Sequence, residues 1–332
     1  MNQATFPESR GPLPVGKFLR AHVEVVTIYA LLVVIAAVGA VGAPHFLKPE
    51  NLLNILLQSV ALGLVAIGQT FVILGGGIDL SVGATISMVA VYSSGLMAGS
   101  PALGVALPVL LLTVCMALVV GLLNSQLVSR LHITPFIATM ASGSLVQGVV
   151  LMYTKRPKGR ISPWWGYFAN GTFGPVPVAV LFLILAIVAA HFLLTRTVMG
   201  RYIFATGGSE RSARLSGIRT ERVILFTYLF SSFMAALSAL FLISRMGVGD
   251  PQVGGLNYDL YDLNSIAAVL VGGTALTGGV GGVIGTVAGF IIVSLLNNIF
   301  NLVGVNTFYQ WIIRGLIILG AVAVYRMQRK RA

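Results

Sequence analysis

Charge is what this chain has least of. Asp, Glu, Lys and Arg together make up 9% of its 332 residues, where a soluble globular domain carries about 25%. So few ionised groups cannot cover a water-facing surface, and a large soluble core is excluded. Acid is scarcer than base: nine acidic residues stand against 21 basic ones, a formal charge of +12. Cysteine is nearly absent. Cys115 lies in an apolar run, which excludes an intrachain disulfide and a cysteine metal site. His22, His45, His132 and His191 are scattered near the ends of apolar runs, with no spacing that would gather a metal. No G-x-x-x-x-G-K-[ST] stretch occurs, so the chain is not expected to hydrolyse ATP. No Ser/His/Asp constellation appears either. The reading is of a protein that is not an enzyme, with no catalytic residue, cofactor or metal. The basic residues do not form a stripe interleaved with aromatics, which sets nucleic acid aside.

What is abundant is apolar surface. Hydrophobic residues reach 57% and the mean hydropathy is +0.93. An apolar run of about 20 residues crosses a bilayer. The sequence divides into ten such segments, some short or interrupted by glycine: Val23–Ala43, Leu52–Leu74, Leu80–Met97, Leu103–Leu123, Ile133–Tyr153, Val176–Leu194, Val223–Ile243, Leu263–Gly273, Val283–Val303 and Phe308–Tyr325. The fold class is therefore all-α, a polytopic integral membrane protein. Residues 1–22 read as a polar cytoplasmic arm rather than a signal peptide. Residues 23–325 form the membrane domain, and residues 326–332 a basic cytoplasmic tail. Basic loops favour the cytoplasmic side. The arm, the segment 195–222 and the tail all agree on cytoplasmic N- and C-termini. The loop 154–175, with Lys155, Arg156, Lys158 and Arg160, falls outside by the same count and goes against the rule.

Thr195–Arg222 is the long polar segment of the back half. Arg196, Arg201, Arg211, Arg214, Arg219 and Arg222 outnumber Glu210 and Glu221. Within it Ser209 suits an N-cap, Glu210 the first turn, Arg214 the last turn and Gly217 the end of a short helix. Two readings stay open. It is a topology loop that meets membrane lipid headgroups, or a docking helix that presents arginines and an apolar face of Ala213, Leu215 and Ile218 to a soluble partner.

The stretch GRYIFATGGSERSARLSGI resembles the cytoplasmic coupling segment of the ribose/xylose/galactose-type permeases of bacterial ABC importers. The stretches GGGIDLSVG, TPFIATMA and IAAVLVGGTALTGG follow the same family in the same order, so the resemblance runs over about Asn51–Tyr325. It implies a membrane subunit that moves a monosaccharide across the bacterial inner membrane. It also implies three partners: an ATPase subunit, a periplasmic sugar-binding protein and a second permease subunit, identical or paralogous. Coupling to the ATPase would fall on Arg201, Ser209, Glu210, Arg211, Arg214 and Gly217. This chain reads Tyr261-Asp262-Leu263-Asn264 where the family usually reads Tyr-Glu-Leu-Asp, an acid-to-amide change at Asn264.

Asp79 is the one acid within the apolar body of the first half. A carboxylate at a helix centre costs about 2.5–3.5 kcal/mol, so it needs a partner, a polar cavity or a boundary. It suits an N-cap for the third segment, accepting from the N–H groups of Ser81 and Val82, and it suits a gate with Gly77 and Ser81. Arg314, well inside the tenth segment, is a candidate ion-pair partner. Gln69 and Asn297, like Gln147, Asn298 and Asn301, are intramembrane amides, available for interhelical hydrogen bonds or for a sugar path. The glycine runs ILGGGIDLSVGATISM and LVGGTALTGGVGGVIGT echo each other, as paired interrupted segments of transporters do. The alternative function is an ion-coupled secondary sugar transporter, for which Asp79 would be the titrating acid.

Overall fold

In the computed structural model, residues 23–100, 102–255, 260–306, 308–313 and 315–316 are described. The N-terminal arm, the tail and Arg314 lie outside them. The helices are α1 (Val23–Gly42), α2 (Pro49–Leu74), α3 (Val82–Met97), α4 (Leu103–Ser129), α5 (Pro135–Tyr153), α6 (Gly166–Asn170), α7 (Val178–Arg196), α8 (Val198–Gly208), α9 (Glu210–Leu215), α10 (Thr220–Met246), α11 (Tyr261–Val271) and α12 (Val283–Leu302). Residues 308–313 are helical as well. A two-residue hairpin, β1 (Thr172–Phe173) with β2 (Val176–Pro177), precedes α7. Seven of the helices are long and apolar enough to cross a membrane, while α3 and α11 are shorter apolar helices. The protein is thus a polytopic helical membrane protein, as its composition implies.

Proline sets several starts. Pro49 and Pro135 occupy the first turns of α2 and α5, where a missing N–H costs nothing. Thr197 ends α7 and caps α8, its Oγ1 accepting from the Gly200 N–H at 3.2 Å. The polar segment 195–222 is therefore mostly helical, an outcome that the loop reading of its first half missed.

α2 is buried from Ser59 through Leu74 on all faces, as expected of a helix that is apolar all round and sits at the centre of a bundle. α10, the next most buried of the long helices, packs against α2, α3 and α4. Ser238 Oγ ties the two central helices by donating to the Ala61 carbonyl at 3.0 Å. α12 closes another side of α2, joined by the Thr70–Thr286 hydroxyl pair at 2.8 Å. α1 packs on α12 and leaves most of its surface outward. α4 extends to Ser129, beyond the sequence boundary at Leu123, because Asn124, Ser125 and Ser129 are buried polar residues that continue its inner face.

Candidate functional site: the Asp79 loop and the arginine segment

α2 stops at Leu74 and α3 starts at Val82. The chain between them is non-helical, with Gly77, Asp79 and Ser81 buried and only Gly76 exposed. Without water, each backbone N–H and C=O of such a stretch needs a protein partner. For the N–H groups of Gly75, Gly76 and Gly77 those partners are carbonyls of the last turns of α2, and further along they are intramembrane polar side chains. With its amide oriented so that the oxygen faces the Asp79 N–H and the nitrogen the Asp79 carbonyl, the assignment that satisfies both, Gln69 brackets the backbone of Asp79 at 3.2 Å on each side. Thr139 on α5 accepts from the Leu80 N–H at 3.1 Å and lies 3.2 Å from the Ile78 carbonyl. Tyr228 on α10 donates to the same carbonyl at 3.3 Å.

The Asp79 side chain is fully buried. Its Oδ1 accepts from the Ser81 N–H at 2.9 Å and from Ser81 Oγ at 2.6 Å. Its Oδ2 accepts from Ser231 Oγ on α10 at 2.9 Å. Asn124 on α4 donates to Ser81 Oγ at 2.8 Å, and Ser142 on α5 donates to Asn124 Oδ1. One carboxylate thus sits at the junction of α2, α4, α5 and α10, held by neutral donors. The N-cap of α3 is Ser81. The expectation that Asp79 caps α3 through both Ser81 and Val82 is corrected: the bond to Ser81, two residues on, is an Asx turn that closes the loop ahead of the helix.

Gln69, Gly77, Asp79 and Ser81 come together here, and a side chain on Gly77 would meet the Tyr228 hydroxyl at 2.8 Å. Asn297 does not join them. Its neighbour Asn298 exchanges hydrogen bonds with Asn51 at 2.8 and 3.1 Å, at the opposite end of α2. From Asn51 to Gln69 the helix rises about 27 Å at 1.5 Å per residue. Arg314 lies outside the described residues. Sequence reasoning missed Asn124, Thr139, Ser142, Tyr228 and Ser231. Hydroxyls on apolar helices carry no pattern of their own, and only the break at Gly75–Gly77 signals that a backbone needs them.

The arginine segment forms α8 and α9 at the Leu74 end of α2. Ser209 Oγ accepts from the Ser212 N–H at 3.3 Å, so Ser209 caps α9. Gly217 follows with φ +83°, closing the helix. Arg214 pairs with Glu210 at 2.8 Å and donates through Nε to Thr220 Oγ1 at 2.8 Å. Its guanidinium therefore braces the turn into α10. Arg196, Arg201, Arg211, Arg219 and Arg222 are exposed. The expected apolar face is not presented as a unit. Ala213 is buried at 4% and Ile218 is half-buried, while Leu215 is 83% exposed. Ala213 and Ile218 pack inward because the Ile218 N–H bonds back to the Ala213 carbonyl at 3.0 Å. A cleft of ≈ 500 Å³ between α9 and α10 is lined by Arg214, Arg219 and Arg222. A second, of ≈ 280 Å³, runs from Glu210 to Gly75, Gly77 and Tyr228, so the arginine segment and the Asp79 loop share a wall.

They also share a joint. The Gly279 N–H donates to the Leu74 carbonyl at 3.0 Å. A side chain on Gly207 would overlap that same carbonyl, and one on Gly278 would lie 2.9 Å from the Gly207 Cα and 3.0 Å from the Gly76 Cα. The two glycine runs read from the sequence thus meet each other and the end of α8. Among the described residues, no group of His, Cys, Asp and Glu could hold a metal ion.

The family described as "Branched-chain amino acid transport system / permease component" matches residues 51–322. The ribose import permease protein RbsC of Bacillus subtilis (strain 168) is 39% identical over 306 residues, covering 89% of this chain and 90% of the relative. The D-allose transport system permease protein AlsC of Escherichia coli (strain K12) is 31% identical over 306 residues, 92% of each chain. The galactose/methyl galactoside import permease protein MglC of Haemophilus influenzae (strain ATCC 51907 / DSM 11121 / KW20 / Rd) is 32% identical over 316 residues, covering 90% of this chain and 92% of the relative. No solved structure matches the chain.

Proposed function

The chain belongs to the permease-component family of branched-chain amino acid transport systems, and on that premise we propose that it is the membrane-spanning subunit of an ATP-binding-cassette importer for a monosaccharide of the ribose, allose or galactose type. The observation that carries the substrate class is the match to sugar permeases over about nine-tenths of both chains. Nothing in those matches favours the ion-coupled alternative. The importer sits in the bacterial inner membrane, with the arginine segment and both termini on the cytoplasmic side. Its partners are an ATPase subunit, a periplasmic sugar-binding protein and a second permease subunit, identical or paralogous.

In this reading Arg201, Arg211 and the capped helix α9, set by Ser209, Glu210, Arg214 and Gly217, engage the ATPase. Closure of the ATPases on ATP moves α8 and α9, and the bundle shifts between outward- and inward-open states. The Asp79 loop, with Gln69, Gly77 and Ser81, serves as a gate. Asn297, away from that gate, and Arg314 are assigned to the translocation path on the sequence reading. The test is uptake of radiolabelled ribose, allose, galactose and leucine by cells in which this importer is the only one of its class. Saturable uptake of one of the sugars is expected. Uptake of leucine with no sugar uptake would contradict the substrate class.

A further inference from the structure

Two non-helical stretches run inside the bundle, and they meet at α3. The first is the Asp79 loop, which Ser231 holds by donating to Asp79 Oδ2. Ser231 lies near the middle of the 27-residue α10, so this loop and the first turn of α3 stand near mid-depth. The second stretch follows α10. Gly249 is pressed on the Ala90 carbonyl and Gly254 on the Gly83 carbonyl, and a side chain on either would overlap it. The Gly254 N–H donates to Ser87 Oγ at 3.1 Å, and the Pro251 carbonyl accepts from the Gln147 amide at 2.9 Å. From Ala90 to Gly83, α3 spans about 10 Å, so this stretch turns back from the end of α10 toward the start of α3. Non-helical backbone at such depth is tolerated where it is buried in protein or lines a water-filled cavity.

α11 begins beside that meeting point. Its first turn carries Asp262, and a Cβ on Gly83 would lie 3.9 Å from the Asp262 Cγ. Asp262 is half-buried. Among the described residues its carboxylate accepts one hydrogen bond, from the Leu263 N–H to Oδ1 at 2.9 Å, and forms no ion pair. Asp79 differs in each respect, being fully buried with both oxygens held by neutral donors. The first turn of a helix favours negative charge, but a single N–H leaves most of the acceptor capacity of a carboxylate unused. A half-exposed carboxylate at mid-depth is costly against acyl chains, and such groups face polar paths. Among the described residues no group of acids or histidines gathers there to hold a metal ion. A neutral polyhydroxylated ligand suits the remaining oxygen, because a hydroxyl donating to a carboxylate forms a strong, short hydrogen bond.

We propose that Asp262 reads a hydroxyl of the sugar as it passes α3, with Oδ2 as the acceptor, so that part of the substrate choice is made inside the membrane. This rests on the importer reading. The experiment uses the assembled importer in proteoliposomes, with ATP inside and loaded binding protein saturating outside. Ribose, allose, galactose and their monodeoxy analogues are compared, and saturation removes the binding protein's own preference from the rates. Absence of ATP-driven uptake of every sugar by the wild type would contradict the importer reading, and this role with it. The wild type should move one analogue about tenfold more slowly than its parent sugar. Asp262→Ala should slow the parent by about tenfold or more and leave that analogue unchanged, so that the preference disappears. Asp262→Asn keeps an acceptor for the Leu263 N–H and removes the charge. It should shrink the preference in the same direction, and it decides the matter if Asp262→Ala fails to assemble. A preference that survives the substitution would overturn the proposal, whether all rates fall together or none does. A wild type that moves every analogue as fast as its parent would overturn it too.

Discussion

The Gly279 N–H bonds to the carbonyl of Leu74 at 3.0 Å, and Gly207 leaves that carbonyl open by having no side chain. Leu74 is the last residue of α2, the central helix. Gly207 is near the end of α8, and Gly279 lies in the loop between α11 and α12. A displacement of α8 therefore bears directly on the end of α2 and on the loop that carries Asp79.

Gly207→Ala tests this joint. Its new methyl group would collide with the Leu74 carbonyl, while Gly208→Ala meets nothing within 4 Å. Overpacking of this kind costs about 1–3 kcal/mol. Gly207→Ala is expected to keep membrane abundance and ATPase association but to lose most sugar uptake, with Gly208→Ala close to wild type. Equal uptake by the two variants, at equal abundance, would show that the joint transmits nothing.

Asp79 yields a second prediction. Three neutral donors hold its carboxylate. Asp79→Asn keeps an acceptor for Ser81 and an amide that Ser231 can meet by turning its hydroxyl. Asp79→Ala leaves the Ser81 N–H and the Ser231 hydroxyl unpaired in a dry site, at about 1–3 kcal/mol for each unsatisfied group. Thermal unfolding in detergent should rank wild type and Asn together and Ala clearly below. An Asn variant as unstable as Ala would mean that the negative charge itself is required, as an ion pair with Arg314 would demand.

The arginine segment separates bracing from docking. Arg214 is engaged by Glu210 and Thr220, whereas Arg211 is exposed. Arg211→Glu should weaken co-purification with the ATPase subunit while the permease remains folded, since a charge-assisted contact is worth about 1.5–3 kcal/mol. Arg214→Glu places a second acid beside Glu210 and should lower thermal stability as well. Normal co-purification and transport with Arg211→Glu would leave the segment as a topology signal alone.

Much of this fold is legible in the sequence because membrane spans announce themselves by length and hydropathy. The cap at Ser209, the acid at Glu210 and the closing Gly217 could also be read, since capping chemistry is local. The meeting of Gly76, Gly207 and Gly278 could not, because close backbone approach leaves only glycine behind and glycine has many uses in membrane helices. Asp79 stands out in the sequence as a lone acid in an apolar body, but Ser231, which holds its Oδ2, and Asn124, which holds Ser81, sit on distant helices. The expected apolar face of α9 failed for a related reason. Ala213 and Ile218 satisfy the turn beneath them, and only Leu215 remains outward.

The central claim is that ATP hydrolysed by a partner, and not an ion gradient, drives a sugar through this chain. Its most direct test is sugar uptake into proteoliposomes that hold the permease with its ATPase, with binding protein and sugar outside and ATP inside. Uptake should require internal ATP, stop when the P-loop lysine of the ATPase is replaced, and survive collapse of proton and sodium gradients. Uptake that continues without ATP and stops when those gradients collapse would contradict it.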